Sequence, residues 1–248
     1  MWLVLCDDSD ASARWVYDGL RERSVPVEFV PASVLSAAVR WIHRVGSDGA
    51  FVEVFLADGR CIDSRDVHGT LNRIVSMWPS PEYLATPDRD YALQELLALY
   101  LSLLHCLPPP VLNRPSPQGL SGHMRYTPDW LVLASRAGFA TAPYVVSSSE
   151  DEPRCRNDEQ TLHRPPSAHH EVVVAAGRVF GSSVTPQVAA AACRLSDLAG
   201  ADLLGLRLAT TADGAARFEA ADLYPDLRSA GPDLLDHLAG LLKTKART

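Results

Sequence analysis

The stretch from Glu171 to Leu242 admits few folds. It opens with the apolar run Glu171-Val172-Val173-Val174-Ala175-Ala176-Gly177-Arg178-Val179-Phe180-Gly181, which reads as a buried strand and its turn. From Pro186 to Gly200, Val188, Ala192, Leu195 and Leu198 recur at helical spacing, and Gly200 sits where such a helix stops. Leu203–Leu208 and Ala216–Ala221 then read as two short strands joined by a turn at Asp213-Gly214. Asp222–Arg228 hangs off the second strand as an acidic loop. Leu234, Leu235, Leu238, Leu241 and Leu242 mark a closing amphipathic helix. The order is strand, helix, hairpin, acidic loop, helix, which predicts an α/β layer structure.

The start of the chain has the same character. Trp2–Cys6 is an apolar strand ending in Asp7 and Asp8, Ser12–Arg23 carries Trp15, Val16 and Leu20 on one helix face, and Val25–Val30 is a second strand. This β-α-β order predicts a parallel pair. Open sheets hold ligands at the carboxyl ends of their strands, near Asp7 and Asp8, but acids at a strand end are also ordinary turn formers, and that reading is preferred. Ser33–Arg44 reads as a further helix or a mixed segment. Ala50–Leu56 and Arg60–Ile62 flank Ala57-Asp58-Gly59 as a hairpin. Asp90–Leu107 is a helix apolar over a wide arc, ended by Pro108-Pro109-Pro110. Thr127–Ala137 is another, closed by Gly138, and Ala140–Val146 follows as a strand.

Two phrases echo each other, Leu71-Asn72-Arg73 and Leu112-Asn113-Arg114. A strand-end Arg beside an Asn can hold a carboxylate or phosphate through its planar donor fork. The same pair can anchor neighbouring loops to backbone carbonyls while the Asn closes a turn. Both readings stand, so Arg73, Asn113 and Arg114 are binding candidates, with Arg178, Asp226 and Arg228 from the C-terminal third. The plain reading of Asp226-Leu227-Arg228 is a charged loop that pairs locally.

The C-terminal order resembles that of ATP-grasp proteins, the carboxylate–amine and carboxylate–thiol ligases. The Asn-Arg phrases, the Asp90–Leu107 helix and Gly119-Leu120-Ser121-Gly122 are similar to the N-terminal region of ATP-grasp proteins from ribosomal-peptide (RiPP) and related natural-product pathways. The resemblance implies an α/β, ATP-grasp-like fold. Residues 1–146 would form a pre-ATP-grasp-type β-α-β region with a helical segment, 171–243 the C-terminal ATP-grasp half, and 244–248 a tail.

In that family the hairpin carries ligands for magnesium–ATP, commonly an Asp on the first strand and a Glu-x-Asn on the second. Here the first-strand acid falls at Arg207 or Leu208. If Asp222 stands for the Asn, Ala220 sits where the Glu belongs; if Glu219 stands for the Glu, Ala221 sits where the Asn belongs. The family also places a small subdomain, with a phosphate-binding lysine and a glycine-rich loop, between strands like Ala140–Val146 and Glu171–Gly177. Residues 147–170 contain neither Lys nor Gly and read as a polar loop in its place, and the chain's lysines are Lys243 and Lys245. Phosphoryl transfer depends on positioned cations and metal ligands. The expectation is a non-catalytic, ATP-grasp-like binding or scaffold protein with no cofactor, whose partner is a precursor peptide or an intact ligase. One alternative is a compact ligase using ATP and Mg, with Glu219 and Asp222 on the metal; another is a structural subunit of an oligomer such as a homodimer.

Composition narrows the classes further. Hydrophobic residues at 47% and charged ones at 21% of 248 residues describe a folded globular chain. A formal charge of −7 argues against a nucleic-acid partner. No apolar stretch approaches membrane-spanning length, so a cytoplasmic location without a membrane partner is expected. The five cysteines lack metal-site spacing and read as free thiols. Adjacent His169-His170-Glu171 point to alternating faces of a strand and cannot simply converge on a metal, and Ser121-Gly122-His123 lacks a nucleophile-elbow context.

Overall fold

The computed structural model describes residues 1–47, 49–77, 79, 85, 87–144, 169–182, 184–211 and 214–245. Trp2–Cys6 forms β1 and Val27–Pro31 forms β2, parallel, with Trp2 opposite Val27. Between them runs α1, Ala11–Glu22, started by the Asp10 side chain, which accepts the Ala13 N–H at 2.9 Å. The predicted β-α-β unit is therefore present. The segment read as helix or mixed divides into α2, Ala32–Ser36, and the strand β3, Arg40–Gly46. Trp41, Ile42 and Val45 favour the extended chain there. β3 pairs antiparallel with β4 (Gly49–Phe55), which pairs with β5 (Cys61–Asp63) around the expected turn.

Gly69–Arg73 forms β6, parallel to β1 on the side away from β2. Helix α3, Arg89–Cys106, leads to β7, Val111–Leu112, and completes a parallel sheet in the order β2-β1-β6-β7. Thus each Asn-Arg phrase ends or follows a neighbouring strand of one sheet. β1 is buried on both faces, as its unbroken apolar run requires. Trp2, Val4 and Cys6 join a core with Val16, Leu20, Leu235 and Leu238, while Leu3 and Leu5 pack with Val52, Val54, Tyr100 and Leu103.

Helix α4, Thr127–Ala137, ends at Gly138 in the left-handed conformation, φ 98°. The strand expected over Ala140–Val146 is limited to β8, Ala140–Thr141; Pro143 offers no backbone N–H for a ladder, and Val145 and Val146 lie outside the described residues. The polar-loop reading of 147–170 falls outside them as well, up to residue 168; His169 and His170 begin β9, His169–Ala175. β10 (Arg178–Phe180), helix α5 (Pro186–Ala199), β11 (Leu203–Thr210), β12 (Ala216–Asp222) and helix α6 (Pro232–Lys245) follow. The second sheet runs β10-β9-β11-β12-β8 and is mixed, since only β12 and β8 pair in parallel. Within α5, Leu198 is exposed and Ala199 is buried in its stead, which corrects the face read from the sequence.

α4 and α5 cover one face of this sheet through Trp130, Ala134, Val188 and Leu195 packed on Val172, Val174, Leu206 and Phe218. Val173, Ala175 and Leu203 enter the core that contains β1 and α1. The N- and C-terminal parts therefore share one apolar cluster. α6 closes it: Leu235 lies where a Cβ on Gly19 would be, and the Trp2 indole N–H donates to the Leu238 carbonyl at 3.2 Å. No helix among the described residues is long and apolar enough to cross a membrane.

Candidate functional site

Strands β9, β11 and β12 present one face toward a cavity of about 110 Å³. Pairing fixes what stands there. Arg207 lies between Glu171 on β9 and Ala220 on β12, and Gly205 lies between Val173 and Asp222. Asp222 and Ala220 share the cavity face with Arg207, and Glu219 lies at the β-bulge after Arg207. The Glu219 carboxylate meets His169 Nδ1 at 2.8 Å, with Arg207 Nε and Arg217 Nη2 each at 3.8 Å.

The acidic loop closes the cavity. Pro225 folds back so tightly that a Cβ on Gly205 would lie 2.6 Å from the Pro225 ring, so this row of β11 accepts only glycine without moving the loop. Asp222 accepts the Tyr224 N–H and so turns the chain out of β12. Asp226 receives Arg228 Nε at 2.8 Å and Nη2 at 2.7 Å, and the Ser12 hydroxyl at 2.8 Å. The Arg228 guanidinium holds the Asp226 carboxyl far below the usual carboxylate range; burial opposes it and Ser12 assists. Asp226–Arg228 is thus a local pair that also reaches α1.

The other candidates separate into two groups. Arg73 is buried, pairs with Asp10 at 2.6 Å and donates to the Pro225 carbonyl at 3.0 Å. Asn113 is buried and holds both backbone groups of Leu203. Asn72, beside them, donates to the carbonyls of Asn113 and Leu120. These side chains set the acidic loop and the start of β11 against the parallel sheet. Arg114 and Arg178 are exposed instead: Arg114 lies near Asp202, whose pKa burial raises and Arg114 lowers, and Arg178 sits 5.4 Å over the Phe180 ring at the far turn. Ser12, which bonds Asp226, and Asp10, which pairs with Arg73, were not among the residues singled out from the sequence, because each partner is distant in the chain.

A divalent cation does not fit this face. Arg207 places a fixed positive charge between Glu171 and Ala220, on the same face as Asp222, and Asp226 is neutralised by Arg228. Among the described residues no three His, Cys, Asp or Glu side chains gather as a metal set, His169-His170-Glu171 included.

No family model and no curated protein matches the chain. Solved structures do. The macrocyclase MdnB from Microcystis aeruginosa MRC superposes with a TM-score of 0.71 at 16% identity, over 97% of this chain and 98% of that one. MdnC from the same source, bound with precursor peptide MdnA, gives 0.68 at 11% identity over 98% and 99%. A Chryseobacterium gregarium RiPP-associated ATP-grasp ligase, in complex with ADP and a leader and core peptide, gives 0.70 at 9% identity over 98% and 96%. With its mixed α/β sheets, the chain is similar in fold to the ATP-grasp ligases associated with RiPPs.

Proposed function

We propose that this chain is a non-catalytic, ATP-grasp-like binding or scaffold protein of a RiPP-type pathway, with a peptide or a partner enzyme as its ligand. The observation behind this reading is the row in which Arg207 faces Ala220 and Gly205 faces Asp222, where the ligases it resembles carry acids for magnesium–ATP. A guanidinium at that position repels the metal that an aspartate would hold. In this reading 1–146 and 171–243 keep the binding framework, and 147–170 stands in place of the nucleotide-clamping subdomain. The peptide partner is suggested by the fold likeness to proteins solved with precursor, leader and core peptides.

The alternative, a compact ligase with Glu219 and Asp222 on Mg, makes the opposite prediction. Its Glu219 is already engaged by His169, which weakens that reading. Titration calorimetry with Mg-ATP, alone and with a precursor-type peptide, separates the two. The scaffold reading requires no heat from the nucleotide, and its peptide-binding form requires heat from the peptide. Saturable Mg-ATP binding that Asp222→Ala abolishes, or ADP release in the presence of peptide, overturns it.

A further inference from the structure

Among the described residues, β3 is the longest strand with an unpaired side. The described sheets end at β2, β7, β10, β8, β3 and β5, and β3 spans seven residues. The edge of β2 is shorter and is capped at Phe29, whose carbonyl accepts Arg60 Nη1 at 3.1 Å while the same guanidinium pairs with Glu28. Among the described residues no strand covers the outer side of β3. Such an edge offers a row of backbone donors and acceptors to another extended chain.

The side chains on this strand say which chain. Arg40, Ile42 and Arg44 share the solvent face with Phe55, Glu53 and Phe51 of β4. Arg40 is exposed, with its guanidinium 4.1 Å over the Phe55 ring, and makes no carboxylate pair among the described residues. Arg44 is 61% exposed and reaches Glu53 only at 3.7 Å. On the opposite face the strand outruns its core: His43 bonds Ser102 of α3, but the next inward position, Val45, is 86% exposed. A second copy paired about Ile42 is a poor occupant. An antiparallel pairing of two β3 strands centred on Ile42 sets Arg40 against Arg44 at both ends, and like charges across a ladder destabilise it. The arginines that deter a copy suit a strand bearing carboxylates.

We propose that the outer edge of β3 takes an extended peptide segment as a fourth strand, with carboxylates toward Arg40 and Arg44 and apolar residues toward Val45. This rests on the peptide-binding reading and names the place and chemistry of that contact.

The test uses the full chain and a fluorescein-labelled synthetic peptide of about eight residues that alternates Glu with Val, the length that matches the strand. The wild-type protein raises its anisotropy, and amide hydrogen exchange slows in residues 40–46. The Arg40→Glu/Arg44→Glu variant loses at least about tenfold in affinity and gains binding of the counterpart that alternates Lys with Val. That rescue shows the variant folded. Equal binding by variant and wild type, failure of the charge swap, or protection elsewhere overturns the proposal. So does a dimer in sedimentation that the double substitution dissolves, which would make a second copy the occupant. A precursor peptide captured while residues 40–46 stay unprotected removes the β3 site and leaves the peptide reading standing. Capture of no peptide removes both.

Discussion

The side-chain amide of Asn113 holds the backbone of Leu203 from both sides: Nδ2 donates to its carbonyl and Oδ1 accepts its N–H, each at 2.7 Å. Leu203 opens β11, two residues before Gly205, so this clasp fixes the start of the cavity strand against the parallel sheet. Both groups are buried, and losing the amide leaves a backbone donor and acceptor without partners. Asn113→Leu is expected to lower stability by about 2–4 kcal/mol, read from the urea midpoint at constant m-value.

Buried Arg73 and the partly buried Asp10 form the charged counterpart of that clasp. The pair spans the carboxyl end of β6 and the start of α1, and Arg73 also reaches the Pro225 carbonyl. Removing one partner strands the other charge. Arg73→Met and Asp10→Ala are each expected to cost about 3–5 kcal/mol, and the double variant clearly less than the sum. A double-mutant cycle in chemical denaturation measures this. Additive losses would mean that the pair contributes no coupling.

Arg207 and Ala220 form the row expected to keep a metal away. In Arg207→Asp/Ala220→Glu, two acids join Asp222 on one face, and the repelling charge is gone. Mn²⁺ titrations followed by electron paramagnetic resonance are expected to show at least about tenfold tighter association than with the wild-type chain. If wild type and variant bind Mn²⁺ alike, Arg207 is not what excludes the metal.

His237 on α6 predicts the acid side of the stability profile. Its ring packs on Phe180 with centroids 5.5 Å apart, and its Nε2 is buried without a hydrogen-bond partner among the described residues. Burial, then the nearby Arg178 charge, lowers its pKa below the usual 6.5, against backbone hydrogen bonding at Ala175 and Ala176. The unfolded chain therefore binds this proton more readily than the folded one. The stabilisation is full above about pH 6.5 and is lost as pH falls toward the lowered folded value. His237→Phe should flatten the stability–pH curve in that window, measured as Tm between pH 5 and pH 8, the range in which a histidine titrates.

The local elements were legible because their causes are local. The period of Val188, Ala192 and Leu195, the stops at Gly138 and Gly200, and the turn signal at Asp58-Gly59 depend on neighbours a few residues away, and helices and hairpins stand there. Leu198 misled because helical spacing marks an apolar arc but not which edge of it meets the sheet. The Ser33–Arg44 segment stayed ambiguous because only pairing with β4 makes residues 40–46 a strand.

The sequence by itself determined the α/β layering and the succession of elements in the C-terminal third. Tertiary structure decided which residues share a face. The pairing of Gly205 with Asp222 and of Arg207 with Ala220 put Glu219 at a bulge, and contacts between distant segments joined Arg73 to Asp10 and Asp226 to Ser12. A strand's side chains alternate, so a shift of one residue exchanges the two faces. That choice is made by hydrogen bonds between segments distant in sequence, and composition and spacing along one strand carry no record of it.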